Sequence, residues 1–178
     1  MRIISIKSSV FETSWGWIAY GLSDSGLLAL TLPQVDRLSA EESLILQVGH
    51  ADFSKDRTDS IQGQIGEYFK GVRNSFDIPL DMSLGTPFQQ KVWNATARVS
   101  YGEQRSYAWV SQKIGSPQAM RAVGSALGSN PLAIIVPCHR IVRSDGELGG
   151  YGGGLALKRR LLRLESSGKG MGRLTLAD

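Results

Sequence analysis

Little in this sequence can be cross-linked or used to hold a metal. Its 178 residues contain one cysteine and two histidines. A single cysteine excludes an internal disulfide framework, argues against a structural zinc site and fits a reducing compartment. Long apolar runs are also missing. No stretch approaches the roughly 20 residues that span a bilayer. The opening Met1-Arg2-Ile3-Ile4-Ser5-Ile6-Lys7 alternates weakly and lacks the apolar core of a signal peptide. These absences lead us to expect a soluble, cytoplasmic protein with no membrane partner, no metal and no cofactor. What remains is ordinary for a globular chain, 42% hydrophobic and 20% charged, and long enough for one or two small domains.

Charge is scarce in one sign on each side of the chain. Residues 1–82 carry 7 Lys+Arg against 11 Asp+Glu, whereas residues 83–178 carry 13 against 5. Basicity confined to one half suits contact with a polyanion such as nucleic acid, or a merely solvated surface. Charge alone does not choose between them.

The first half reads as a small α+β module. Residues 2–10 alternate as a strand. Two apolar runs, Trp15 to Tyr20 and Leu27 to Leu32, flank the hairpin signal Ser23-Asp24-Ser25-Gly26. Ser39-Ala40-Glu41-Glu42 has the form of a capping box, with Leu44, Ile45 and Val48 following at helical spacing. A second helix is predicted over Asp59 to Lys70, with Ile61, Ile65, Tyr68 and Phe69 on one face and Gly71 as its stop. Phe76 to Leu80 alternates like an edge strand around Pro79. His50 sits in a polar loop and is read as solvated.

The second half opens with Thr86-Pro87-Phe88-Gln89, a strong helix start, and Phe88, Val92, Ala95 and Val99 then share a face. Ser106 should cap a short helix with Tyr107, Val110 and Ile114 inward. Gly115-Ser116-Pro117 turns the chain into a third helix that runs to Leu127. Two short helices about a glycine turn suggest a helix-turn-helix. Met120, Val123 and Leu127 should face inward on the third helix. Ala119, Ala122, Ser125 and Ala126 form a bare opposite side beside Arg121. A smooth helix with one long arginine suits close approach to a narrow groove, or tight packing on another helix.

The only thiol lies in Ile134-Ile135-Val136-Pro137-Cys138-His139-Arg140, which reads as a buried strand aimed by a proline. Cys138 alone could be an inert core residue. Beside His139 it is a candidate nucleophile, activated by a histidine that a carboxylate orients. Glu165, at the end of a basic helix from Leu155, is the candidate carboxylate, or else an exposed helix-terminal residue. Leu157, Leu161 and Leu164 are expected inward on that helix, with Lys158, Arg159, Arg160 and Arg163 outward. Gly149-Gly150-Tyr151-Gly152-Gly153-Gly154 would let backbone approach a flat ligand, or form a flexible loop.

Pro137-Cys138-His139-Arg140 resembles the active-site signature of the O6-alkylguanine-DNA alkyltransferases. The resemblance extends through Gly85-Thr86-Pro87-Phe88-Gln89-Gln90, Ser106-Tyr107, Arg121-Ala122-Val123-Gly124, Ser129-Asn130-Pro131 and Gly153-Gly154-Leu155-Ala156 to Glu165, in order and with family spacing. It implies a ribonuclease H-like α/β domain over 1–82, a helical domain with a winged helix-turn-helix over 83–166, and a disordered tail over 167–178. It also implies a monomer that flips O6-alkylguanine, and O4-alkylthymine, out of double-stranded DNA. The alkyl group would pass irreversibly to Cys138.

Each residue would then have a part. His139 would act as base through a water, oriented by Glu165, and Asn130 would brace the turn before the cysteine. Tyr107 would donate to guanine N3. Arg121 would fill the space left by the flipped base, on a helix that touches DNA through Ala122, Ser125 and Ala126. Leu127 and Tyr151 would line the pocket with Gly153. The carbonyls of Cys138 and Ile141 would accept from the guanine amine, and the Gly152 amide would donate to O6. Some relatives carry zinc ligands in the first domain; that half of this chain has no cysteine and one histidine. The rival readings are a thiol hydrolase built on Cys138, His139 and Glu165, a non-catalytic lesion-binding module, and a helix-turn-helix regulator.

Overall fold

A computed structural model describes residues 6–53 and 60–167. The beginning of the predicted first strand and the residues of the tail from 168 onward lie outside the described residues. The architecture is mixed α+β, a small sheet with helices, in two compact units. One unit runs to Leu84 and takes in Pro131–Ala133; the other holds Gly85–Asn130 and the chain from Ile134 onward.

In the first unit, β1 (Lys7–Thr13), β2 (Gly16–Ser23) and β3 (Gly26–Leu30) form an antiparallel meander. A short β4 (Asp52–Phe53) adds parallel to β1 after a crossover through α1 (Arg37–Val48), giving the order β3-β2-β1-β4. The hairpin falls where Asp24-Ser25 separates the two apolar runs. Ala19, Ala29, Ala40 and Leu44 make the core between sheet and helix. The three alanines let the helix lie close on the strands, with Leu44 filling the space between. α2 (Ser60–Phe69) buries all four predicted residues, and Gly71 follows it at φ 73°.

Two expectations for this unit are corrected. The cap of α1 is Asp36, whose carboxylate accepts from the Ser39 amide at 2.8 Å. The helix therefore starts a turn before the predicted box, and Ser39 is an early helical residue. Phe76 to Leu80 is not a continuous strand. Only Leu80 bridges β3, with Leu27 donating to the Pro79 carbonyl and Asp81 to the Leu27 carbonyl. Pro79 has no N–H with which to extend the ladder.

The second unit opens on α3 (Pro87–Thr96). Thr86 and Gln89 form a reciprocal capping box, as the sequence predicts. Its buried face is Val92, Trp93 and Thr96, continued by Val99, while Phe88 and Ala95 are only half-buried. Trp93 sits at the centre because its indole N–H donates to the Ala126 carbonyl at 2.7 Å. That bond ties α3 to α5. α4 (Tyr107–Lys113), capped by Ser106, and α5 (Met120–Gly128) follow. Two-residue strands β5 (Arg105–Ser106) and β6 (Ile141–Val142) pair in parallel, and α6 (Gly154–Ser167) closes the unit. Among the described residues, no helix is long and apolar enough to cross a membrane.

A Cβ on Gly85 would overlap the Trp93 ring, which is fixed by its bond to Ala126. Gly85→Ala should therefore cost about 1–3 kcal/mol, read as a lower urea midpoint. Gly63→Ala, in α2 with open space around it, should instead stabilise by about 0.5–1 kcal/mol.

Candidate active site

The thiol is presented by a pair of tight turns, not by a strand. Ile134 is buried at φ 72°, a left-handed conformation unusual for a β-branched side chain. Pro137 has φ −81° and ψ 64°, and the Cys138 amide donates back to the Val136 carbonyl at 2.8 Å. That is an inverse γ-turn, which proline's fixed φ favours. A single 3-10 turn, Cys138–Arg140, follows and leads into β6. The predicted buried strand is thus corrected: the β-branched run is buried, but Ile134 and Pro137 bend it.

Asn130 holds this bend. Its side-chain amide donates to the Val136 carbonyl at 2.9 Å and to Cys138 Sγ at 3.4 Å. Burial pushes the Cys138 thiol up, with the Asn130 bond and the nearby Lys158 charge opposing only partly. The resting group is a protonated thiol, so reaction requires a base.

Successive residues of a 3-10 turn point about 120° apart, so His139 is directed away from its neighbour. The imidazole is fully buried, with Nε2 2.8 Å from Glu165 Oε1. Arg140 grips the same carboxylate through Nε at 2.8 Å and Nη2 at 2.9 Å, and the Gly102 amide adds a contact at 3.2 Å. Burial alone would raise the Glu165 carboxyl, but His139 and Arg140 hold it well below the usual carboxylate range. Burial keeps His139 below its ordinary value despite that carboxylate. An ionised carboxylate can only accept, so Nε2 must carry the imidazole proton. Nδ1 is then the basic nitrogen, on the edge of the ring turned from Glu165.

A cavity of ≈ 580 Å³ opens in front of Cys138. Tyr107, Leu127, Tyr151 and Gly152 line it, as does Arg121. Burial raises the hydroxyls of Tyr107 and Tyr151, and a Cys138 thiolate would raise both further, so both are present as donors. The Tyr107 hydroxyl lies 3.5 Å from the Gly150 carbonyl, and a Cβ on Gly149 would come within 2.7 Å of that hydroxyl. Gly149, the first of the predicted glycine run, lets the loop close over the tyrosine.

Other assignments are redistributed. Ile141 and Gly153 do not line the cavity; Ile141 is fully buried. On α5, Arg121, Ala122 and Ser125 are exposed, but Ala126 is buried and Met120 is 46% exposed. The inward stripe is Val123, Ala126 and Leu127, because Ala126 packs where its carbonyl meets Trp93.

Lys158, expected outward, is fully buried. Its ammonium donates to the Ile141 carbonyl at 2.6 Å, to the Leu148 carbonyl, and to the Gly150 carbonyl at 3.3 Å. It thereby ties the glycine loop to the segment behind Cys138. Burial lowers its pKa to about 8, opposed by a Cys138 thiolate. The signal was in the spacing: 158, 161, 162 and 165 are all buried on α6. Among the described residues, no group of three or more His, Cys, Asp and Glu is placed to hold a metal. His50 is exposed.

Comparison with known proteins adds the following. A family model described as "6-O-methylguanine DNA methyltransferase, DNA binding domain" matches residues 87–167. The methylated-DNA–protein-cysteine methyltransferase of Mycobacterium tuberculosis (strain ATCC 25618 / H37Rv) is 52% identical over 115 residues, 65% of this chain and 68% of that protein. The constitutive enzyme of the same name from Bacillus subtilis (strain 168) is 50% identical over 103 residues, 57% of this chain and 62% of its own. The crystal structure of the M. tuberculosis O6-methylguanine methyltransferase superposes with a TM-score of 0.76 at 38% identity, covering 97% of this chain and 96% of that one. The M. tuberculosis OGT structure in complex with DNA gives 0.77 at 40% identity, covering 90% and 93%.

His139 and Glu165 are both depressed by folding, so at these two groups the unfolded chain binds more protons in acid. Their contribution to stability should be fully present above the ordinary histidine value of 6.5 and fall as pH drops below it and on through that of glutamate, 4.5. Glu165→Gln strands Arg140 beside a neutral amide. It should cost about 3–5 kcal/mol at pH 7 and flatten the acid dependence, both measured by denaturant unfolding across pH.

Proposed function

The chain belongs to the methylated-DNA–protein-cysteine methyltransferases, and on that premise we propose that Cys138 itself takes the alkyl group from O6-alkylguanine in duplex DNA. The observation that carries this reading is the turn that sets Cys138 in the wall of the cavity, followed directly by His139 bound to Glu165.

The thiol proton passes to His139 Nδ1, through a water that spans the divergent side chains. Cys138 Sγ then attacks the alkyl carbon, the S–C bond forms and the C–O6 bond breaks. The departing guanine gathers negative charge, the Tyr107 hydroxyl donates a proton to N3 as it does so, and the proton held on His139 returns through water to the tyrosinate. A preorganised donor acting only where charge develops lowers the barrier selectively. Guanine leaves unmodified. A thioether has no route back to the thiol, so each molecule acts once.

The O6 atom of stacked guanine is out of reach, so the base must be flipped, at about a few kcal/mol. Exposed Ala122 and Ser125 let α5 come close to the minor groove, and Arg121 fills the vacated stack. Leu127 and Tyr151 hold the flipped base, and the Gly152 amide meets O6. O4-alkylthymine enters the same pocket by the same chemistry. The functional division at residue 82 follows the resemblance, with a ribonuclease H-like unit before it and a winged helix-turn-helix after it. The meander with one parallel strand added, and the α4–α5 pair, support those assignments. The protein acts as a monomer in the cytoplasm. A thiol hydrolase on the same residues would turn over, which separates it by experiment.

Incubation with duplex DNA bearing O6-methylguanine, followed by intact mass, should show a single methyl addition. Peptide mapping should place it on Cys138, and Cys138→Ser should show none; turnover without modification would sink the proposal. Arg121→Ala should slow repair of duplex DNA on the order of tenfold or more, in keeping with the cost of flipping. Transfer from the free modified base should keep its rate. Equal slowing of both rates would refute a role in flipping.

A further inference from the structure

A second concave surface on the same unit lies outside the chemistry. Lys91, Asn94 and Arg98 recur at helical spacing along α3 and just past its end, and Trp109 and Lys113 recur on α4. Together they wall a cleft of ≈ 630 Å³ that shares no residue with the cavity at Cys138. At about 100° per residue, Trp109 and Lys113 project some 160° and 120° away from Tyr107 around α4. The cleft thus faces away from the side that serves the thiol.

Its charge is one-sided. Lys91, Arg98 and Lys113 are exposed, and none forms an ion pair with any described residue. Lys113 Nζ lies 5.5 Å from the Trp109 ring centre and the Arg105 guanidinium 5.4 Å. No Asp or Glu is among the described residues that line the cleft; Glu103 lies 3.6 Å from Arg105 outside it. Like charges gathered on two rigid helices repel one another, and a row of phosphates would relieve that repulsion. Cations steadied over an indole are also held ready for a ligand at lower entropic cost.

We propose that this cleft binds the phosphate backbone of a second DNA segment, separate from the one presented to Cys138. Through it the protein hands itself from one duplex to another while searching for lesions. The proposal rests on the DNA-repair reading for its ligand, and its position on α4 argues against a continuation of the same duplex.

The test uses the full-length protein bound to a labelled, unmodified duplex and chased with rising concentrations of unlabelled duplex. For the wild type, dissociation should speed up with chase concentration, because the second segment binds before the first leaves. In Lys91→Gln/Arg98→Gln/Lys113→Gln that dependence should vanish, and in the wild type it should weaken steeply with salt. Arg98→Glu alone should weaken it. A charge-matched control, Lys7→Gln/Lys70→Gln/Arg163→Gln, should keep it. All variants should still methylate Cys138 from free O6-methylguanine, which reports an intact fold and site. A wild-type rate indifferent to the chase, or a triple variant that keeps the dependence, would overturn the second site. Failure of every protein to acquire the methyl group would instead count against the alkyl-transfer reading.

Discussion

The buried carboxylate of Glu165 is the constraint on which the rest of the site depends. A charge in the interior is tolerated only when its oxygens are occupied. Here Arg140, His139 and Gly102 occupy them. Arg140 supplies the countercharge, so His139 need not be protonated to satisfy the pair. The imidazole can stay neutral with its basic nitrogen free of Glu165. The arginine that follows the histidine is therefore as much a part of the base as the histidine itself. It also donates to the Val99 carbonyl at 2.6 Å, fastening the site to the end of α3.

A second cation organises the other wall. Lys158 binds three carbonyls from two segments, and those segments are the glycine loop and the start of β6. The loop's glycines permit the approach over Tyr107, but a glycine loop left to itself is flexible. The buried ammonium supplies the order that the glycines lack. Its positive charge also lies near Cys138, where it favours a thiolate. In the proposed reaction, the thiol stays protected until His139 removes its proton.

Much of this was legible in the sequence where local chemistry decides. The Thr86–Gln89 box, the cap at Ser106, the β2–β3 hairpin and the buried face of α2 all follow from neighbours a few residues apart. The adjacency of Cys138 and His139 and a glutamate, Glu165, near the end of α6 already point to the site in the sequence. What failed depended on distant partners. Ala126 is buried because Trp93 reaches it from another helix, and Lys158 is buried because three carbonyls wait for it. Charge and size alone put both residues on the wrong side. The strand expected around Cys138 failed differently: β-branched residues signal extension, but Ile134 is left-handed and Pro137 makes a γ-turn that the Asn130 side chain braces through the Val136 carbonyl. Lys91, Arg98 and Lys113 drew no notice in the sequence, because nothing in one dimension shows that α3 and α4 bring them together around one cleft.

The central claim is a protonation state: at neutral pH His139 is neutral, with its proton on Nε2 and Nδ1 available as base. Nitrogen NMR of protein labelled at histidine reads this directly. The chain has only two histidines, and His50→Gln assigns the spectrum. The account predicts a His139 ring at pH 7 with a protonated Nε2 and an unprotonated, basic Nδ1. In Glu165→Gln that tautomer preference should be lost. An imidazolium at pH 7, or a ring protonated on Nδ1 in the wild type, would contradict it.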